Sequence, residues 1–294
     1  MISAIAKETA TMQFVEIGGI QYEVLPWKQR VVQSIVNPWR NVLLPASFWR
    51  YVMRRSRSPL IAESFRRPGG WQSMRIVYEN ETPKGIQDRM AVRFNPISMA
   101  SRNRRKLVIS LLTELINSNV ETERLDIVGV GAGPGLHVQE AICKSDIRRA
   151  NVHAYLIDRD SDAFEYGRTC AAERGIQECV SYVQGDARDI RRVLPDVSPQ
   201  IVKLVGLLEY LTDDQAVDLL RALHAIMAPG GQILTHGIVD RFHSAKFLQR
   251  TFGLYHIYRT ASEVKTVLNA AGFRTDKECE EPMKVYPILI ATRL

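Results

Sequence analysis

The stretch Leu125-Asp126-Ile127-Val128-Gly129-Val130-Gly131-Ala132-Gly133-Pro134-Gly135 constrains the fold more than any other part of this 294-residue chain. An apolar run that dissolves into alternating glycines reads as a strand, Leu125–Val130, and a tight turn. A helix follows from Leu136 to about Lys144. Glycine tolerates left-handed backbone, and it lets a ligand lie against the main chain where a Cβ would push it away. The helix start beyond it offers N–H groups without intrahelical partners, which suit a carboxylate or phosphate. A dinucleotide site needs the spacing G-x-G-x-x-G. Counted from Gly129 the third glycine falls on Pro134, and counted from Gly131 it falls on Leu136. Both registers fail, which argues against an NAD-dependent enzyme. The spacing is G-x-G-x-G, with Gly135 as a further glycine.

The chain beyond this turn alternates strand-like and helix-like segments. Val152–Ile157 is the next strand. A helix from Ser161 to about Arg174 follows, with Asp160 as its N-cap and Gly175 as its stop. Val180–Gln184 and Ile201–Val205 are further strands. A helix from Thr212 to about Met227 opens on a capping box, Thr212 and Gln215, and ends at Pro229-Gly230-Gly231. Gln232–His236 is the fifth strand. Thr260 and Glu263 form a second capping box, for a helix that stops near Gly272. Two late strands, from about Phe273 and around Val285–Ala291, have no helix between them and are expected to pair as an antiparallel hairpin, one reversed edge element. Alternation of this kind specifies an α/β fold with a mostly parallel sheet covered by helices. Upstream, Ser101 to about Ile116 reads as one helix leading into the first strand. Before it, Pro26, Pro38, Pro45, Pro59, Pro68, Pro83 and Pro96 are expected to break any long helix.

Charge separates the two regions. Residues 1–120 hold 18 Lys and Arg against 8 Asp and Glu, while the whole chain holds 39 against 32. The basic half suits an anionic small molecule, a nucleic acid or an anionic membrane surface, or is a solvated basic face. No run reaches the roughly 18 apolar residues of a membrane span. Met1–Ala10 carries Lys7 and Glu8 where a secretion signal would be apolar. Cys143, Cys170, Cys179 and Cys279 lack C-x-x-C spacing, so they read as reduced thiols of a cytoplasmic protein, and no metal site is expected.

Gly129-x-Gly131-x-Gly133 after a strand resembles motif I of the class I S-adenosylmethionine (SAM)-dependent methyltransferases, and later segments resemble that family's motifs in order. Leu156-Ile157-Asp158 ends the second strand, where an acidic residue accepts the ribose hydroxyls. Gly185-Asp186-Ala187 follows the third; in the family such an aspartate meets the adenine amine and the next backbone N–H a ring nitrogen. Val205-Gly206-Leu207-Leu208-Glu209-Tyr210-Leu211 resembles motif IV, and Met227-Ala228-Pro229-Gly230-Gly231 the loop before the fifth strand. The resemblance covers about residues 101–294. It implies a Rossmann-like, seven-stranded, mostly parallel sheet with an antiparallel C-terminal hairpin. It implies SAM as cofactor and S-adenosylhomocysteine as product. The cofactor would be held by Gly129, Gly131, Gly133, Asp158, Arg159, Gly185, Asp186, Ala187 and Leu207. One departure stands out: Val128, not an acidic residue, precedes Gly129, and the nearest acid is Asp126. Arg102 or Arg104 is an alternative partner for the methionine carboxylate.

Methyl transfer is an in-line displacement in which the protein positions the nucleophile, excludes water, and removes a proton where the nucleophile carries one. Glu209, Tyr210 and His236, at strand ends, are the candidate catalytic residues, with Asp240, Tyr258 and Arg259 further along. Gly206-Leu207-Leu208-Glu209 replaces the Asn/Asp-Pro-Pro-Tyr segment common in enzymes that methylate bases or amides. The replacement resembles the corresponding segment of methyltransferases of small molecules and lipids and argues against base-N methylation; with the basic N-terminal half, the leading reading is methyl transfer to O or N of a small, anionic metabolite. Aminocarboxypropyl transfer from SAM, RNA methylation and SAM binding without catalysis are the competing readings. Residues 1–100 read as a basic, partly irregular and partly helical extension. Trp39, Arg40, Phe48, Trp49, Arg50, Tyr51, Arg54, Arg55 and Arg57 suggest a substrate lid, with an interfacial lipid-binding helix or an RNA surface as alternatives. The sequence leaves the oligomeric state open.

Overall fold

The computed structural model of the chain describes residues 13–294, leaving aside the side chains of residues 40–42. The reading of Met1–Ala10 as lacking a secretion signal lies outside the described residues, as does the side chain of Arg40. The chain separates into two units. The first comprises the described residues up to Lys106 together with Asp240–Tyr255 and Glu281–Val285; the second comprises Leu107–Val239, His256–Glu280 and Tyr286–Leu294.

In the first unit a two-stranded antiparallel hairpin, β1 (Gln13–Ile17) and β2 (Ile20–Val24), turns at Gly18-Gly19. Helices α1 (Trp27–Leu43), α2 (Ala46–Arg54), α3 (Pro59–Arg66) and α4 (Trp71–Glu79) follow. The prolines mostly start helices. Pro26 and Pro45 are N-caps, Pro59 stands in the first turn of α3, and Pro96 opens α5 (Pro96–Asn117). Their missing N–H groups fall where no intrahelical partner exists. Pro38 departs from the expectation altogether, because α1 runs through it. It removes the hydrogen bond to the carbonyl of Ser34, an exposed residue where water can replace it. α5 begins five residues before the expected start, and its first half belongs to this unit. There Asn103 reads the backbone of Glu23 as a neighbouring strand would: its Oδ1 accepts from Glu23 N at 2.8 Å and its Nδ2 donates to Glu23 O at 2.7 Å.

The second unit holds a seven-stranded sheet of order β5-β4-β3-β6-β7-β9-β8. Its strands are β3 (Leu125–Val130), β4 (Val152–Asp158), β5 (Val180–Gln184), β6 (Ile201–Leu204), β7 (Gln232–His236), β8 (Phe273–Glu280) and β9 (Pro287–Arg293). β3 through β7 are parallel, and β9 runs antiparallel to both β7 and β8. The single reversed strand is therefore β9, inside the sheet, and β8 forms the edge. β9 is apolar on both faces, Pro-Ile-Leu-Ile-Ala, and buried over those five residues, whereas β8 carries charge and is half exposed. That contrast puts the apolar strand inside. Between the strands stand α6 (Leu136–Lys144), α7 (Phe164–Glu173), α8 (Asp213–Ile226) and α10 (Ala261–Ala270), while α9 (Ala245–Phe252) belongs to the first unit. Both expected capping boxes form, at Thr212/Gln215 and Thr260/Glu263. The core on one sheet face gathers Val128, Val130, Val202, Leu204 and Ile233 with Leu219, Leu220 and Leu223 of α8 and Val264 and Leu268 of α10.

Candidate active site

Parallel strands deliver their C-terminal ends to one edge of the sheet, and ligands bind there. β3 leaves its edge through Gly131, Gly133 and Gly135, with φ of +57°, +53° and +73°, a left-handed path that side chains resist. The loop is tied down before any ligand enters. Ala132 N donates to Ile157 O at 3.0 Å, Gly135 N to Ala132 O at 2.9 Å, and Gly133 N to Asp158 Oδ2 at 2.8 Å. Pro134 is anchored from beneath. The Tyr182 hydroxyl donates to its carbonyl at 2.9 Å and accepts from Gln139 Nε2 at 2.7 Å, and Gln139 also reaches Gly167 O at 2.9 Å. Gln139 is fully buried, and burial pushes the Tyr182 phenol up to about 12, so it remains a donor at ordinary pH.

The glycines serve different ends. A Cβ on Gly129 would lie 2.9 Å from Leu156 Cδ2, and one on Gly135 would lie 2.1 Å from Leu156 Cδ1. Those two are glycine because Leu156, the β4 partner of Gly129, fills the space above them. Packing against Leu156 therefore adds a second reason for glycine at these two positions. At Gly131 the atoms nearest a Cβ would belong to Leu207, at 3.5 Å and beyond, an ordinary contact, so the left-handed φ and not crowding calls for glycine there. Gly206 has φ +95° and, unlike Gly131, nothing within 4 Å of its Cβ position. Gly185 makes way for Val193, 2.8 Å from its Cβ position.

Asp158 stands at the end of β4, half buried. Its Oδ1 accepts from Asp160 N at 3.0 Å and its Oδ2 from Gly133, which leaves lone pairs for two hydroxyl donors. Asp186 caps the turn after β5. Its carboxylate is gripped by Arg188, with Nη2 to Oδ2 at 2.6 Å, Nε to Oδ1 at 3.0 Å and the Arg188 amide to Oδ1 at 3.0 Å. The side-chain bond from Arg188 chiefly holds it down at about 2. Arg159 is exposed, with Nε 3.9 Å from Asp186 Oδ2. Ala187 is buried beside them.

The turn after β6 carries Leu207, Glu209 and Tyr210. His236, at the end of β7, is buried and has both ring nitrogens engaged: Nδ1 with Gly237 O at 2.7 Å, Nε2 with Gly206 N at 3.0 Å. A carbonyl needs a donor and an amide N–H needs an acceptor, so the network assigns neutral imidazole with its proton on Nδ1. Glu209 is buried, with Oε1 3.6 Å from His236 Nε2. Tyr210 is apart from this pair: it is exposed, and its hydroxyl lies 3.2 Å from His256 Nε2. Glu209 and His236 are thus brought together, and Tyr210 joins a different cluster.

Two of the sequence candidates are engaged within the first unit. Arg102 is buried in the first unit, where Nε and Nη2 pair with the two oxygens of Glu23 at 2.7 and 2.6 Å and Nη1 donates to Val92 O at 2.7 Å. Nothing of its fork is left for a methionine carboxylate. Arg104, also buried, donates to the Tyr78 hydroxyl at 3.1 Å. Asp126 lies at the opposite end of β3 and takes both oxygens to Arg124. Arg259 is the residue whose role the sequence did not reveal. It is buried, its Nη1 donates to Leu208 O at 2.7 Å, its Nη2 to Leu211 O at 2.6 Å, and its Nε to Asp213 Oδ1 at 2.9 Å. It clasps the whole 208–211 turn. Gly237 permits this, since a Cβ there would lie 2.3 Å from Arg259 O. Gln139, Tyr182 and Gly167 were missed for the same reason: only the folded chain brings them under Pro134.

A glycine turn after the first parallel strand, acids closing the second and third, and a buried turn after the fourth define the class I SAM-dependent methyltransferase. Comparison with known proteins agrees. Residues 72–293 match the family model described as "Putative methyltransferase", and the chain belongs to that family. The match begins within α4, well before the glycine turn. Among solved structures, a "possible exported protein" of Bordetella parapertussis is similar over 90% of this chain and 96% of its own, at 15% identity and TM-score 0.64. The magnesium protoporphyrin IX methyltransferase of Synechocystis PCC 6803, with bound S-adenosylhomocysteine, is similar over 80% of this chain and 98% of its own, at 12% identity and TM-score 0.57. An O-methyltransferase family protein of Burkholderia thailandensis is similar over 80% and 71%, at 13% identity and TM-score 0.53. At such identities these likenesses are likenesses of fold. No curated protein matches the chain by sequence.

Proposed function

We propose that this SAM-dependent methyltransferase transfers the methyl group to an oxygen or nitrogen of a small, anionic metabolite. The observation that carries the reading is the joint placement, at one sheet edge, of the left-handed turn at Gly131 and Gly133, the half-buried Asp158, and the buried Glu209–His236 pair at 3.6 Å. The left-handed glycine turn at the strand end and the spare lone pairs of Asp158 fit an adenosyl group bearing an amino-acid tail. When bound, SAM supplies a methyl group already activated on a sulfonium.

The protein's own part is binding, orientation and proton removal. Asp158 accepts from the ribose hydroxyls while its bond to Gly133 holds the turn in shape. The segment Gly185-Asp186-Ala187 receives the adenine, with Arg159 at its rim. Leu207, beside Gly131, walls the reacting end. His236, neutral and held at both nitrogens, is a positioning residue: it fixes Gly206 and so aims the turn that carries Glu209. Glu209 takes the acceptor's proton where the acceptor has one to lose. Tyr210, turned toward His256, contributes to acceptor contact rather than to proton transfer. The Synechocystis neighbour's named acceptor is a small molecule, and the segment Gly206-Leu207-Leu208-Glu209 lacks the Pro-Pro wording of base methylation; both support a small-molecule acceptor. The test uses SAM labelled in the methyl group or in the carboxyl group, incubated with the protein and fractionated cell extract. Methyl label alone in the small-molecule fraction is expected. Methyl label in RNA, or carboxyl label in any product, contradicts the proposal.

A further inference from the structure

α1 is an inverted amphipathic helix. Gln29, Gln33 and Asn37, spaced four apart, turn toward the protein, and Asn37 is buried with Nδ2 donating to Phe242 O at 2.8 Å within the same unit. The opposite face carries Trp27, Val31, Val32, Ile35, Val36 and Trp39, each between 49% and 71% exposed. The two tryptophans stand twelve residues apart, about 18 Å along the axis. Soluble helices place the apolar side inward, and a continuous exposed apolar face marks a surface that something covers.

The charge of the sequence that holds this helix points to the cover. From residue 24 to residue 62 the chain holds seven Lys and Arg (Lys28, Arg30, Arg40, Arg50, Arg54, Arg55 and Arg57) and no Asp or Glu. A second copy of the chain would bring the same uncompensated cations against these. A nucleic acid would use the cations and leave the Val-Ile face in water. An anionic bilayer satisfies both: its headgroups neutralise lysine and arginine, its acyl boundary takes the aliphatic face, and tryptophan favours that boundary. Phe48 and Tyr51, exposed on α2, extend the pattern, and the Arg55 guanidinium lies 3.5 Å from the Tyr51 ring centroid. We propose that α1, flanked by these cations, is a peripheral docking surface for an anionic lipid bilayer. It lies on the surface and does not span: among the described residues no helix is long and apolar enough to cross a membrane.

Vesicle co-sedimentation of the full chain tests this, with vesicles of about three parts phosphatidylcholine to one part phosphatidylserine against phosphatidylcholine alone. The wild type is expected to sediment with the anionic vesicles, to be released as salt rises, and to stay largely in solution with the neutral ones. The double variant Val32→Asp/Ile35→Asp is expected to bind at least about tenfold more weakly. Both residues are exposed, so an unchanged thermal melt and SAM affinity separate loss of docking from loss of fold. Three results overturn the proposal: no sedimentation with anionic vesicles at low salt, sedimentation indifferent to the double variant, or a dimer that the double variant dissolves in a protein that ignores both vesicles.

Discussion

The Cβ position of Gly135 lies 2.1 Å from Leu156 Cδ1, so the glycine turn is shaped by a leucine on the neighbouring strand. Leu156 also lies 2.9 Å from the Cβ position of Gly129. The turn and β4 are therefore one packed object, and it carries Asp158 two residues further on.

Gly135→Ala is expected to destabilise the protein by about 2–4 kcal/mol, combining overpacking with a residue forced to positive φ. Leu156→Ala in the same chain opens the space and recovers the overpacking part. Urea unfolding of the two single variants and the double variant measures the coupling. Additive losses would contradict direct contact as the cause.

The Tyr182 phenol is pushed up to about 12 by burial. In the unfolded chain it ionises near the ordinary value of about 10. A raised folded value means that its stabilising share is intact below the unfolded value and is lost as pH rises from there through the folded one. Tyr182→Phe is expected to be about 1 kcal/mol less stable at neutral pH, through loss of the bond to Pro134 O. That difference should shrink as pH approaches 12. A gap that stays constant in unfolding measured across this range would contradict the reading.

Asp186 behaves in the opposite sense. Arg188 holds its carboxyl down at about 2, so this share of stability is present above the ordinary carboxylate range and is lost as pH falls toward 2. Arg188→Ala should return Asp186 to an ordinary carboxylate value, visible as a higher midpoint in a side-chain carbon NMR titration. An unmoved midpoint would show that the backbone, not the guanidinium, controls it.

Arg259→Lys keeps the charge and loses the fork that binds Leu208 O and Leu211 O together. The expected cost is about 1–3 kcal/mol in stability. Methyl incorporation should fall about 10- to 100-fold through misplacement of the Glu209 turn. SAM affinity should change little, because the glycine turn and Asp158 proposed to hold the cofactor lie elsewhere. An equal loss in binding and turnover would point to general unfolding of the edge.

Much of this was legible in the sequence because it is local. The strand and helix periods, the G-x-G-x-G spacing, the two capping boxes and the acids at the ends of β4 and β5 are short-range patterns. What was not legible depends on distant partners. Arg102 looked free to meet a ligand until Glu23 appeared beside it, 79 residues away in the chain. Arg259 and the turn it clasps are separated by about fifty residues, and Gln139 and Tyr182 by 43. Pro38 misled because the rule about proline concerns a lost hydrogen bond, and an exposed carbonyl can lose one to water. The inverted face of α1 was hidden for a further reason: a hydrophobic period does not say which side of a helix faces out, and only the folded chain shows it.

Asp158 and the glycine turn are proposed to hold SAM at the sheet edge, and calorimetric titration of SAM into wild type and Asp158→Ala tests this most directly, with a thermal melt of each as control. Saturable binding by the wild type and at least about tenfold weaker binding by a folded Asp158→Ala variant are predicted, the loss expected for two charge-assisted hydrogen bonds. Equal affinities, or a wild type that ignores SAM, would contradict it.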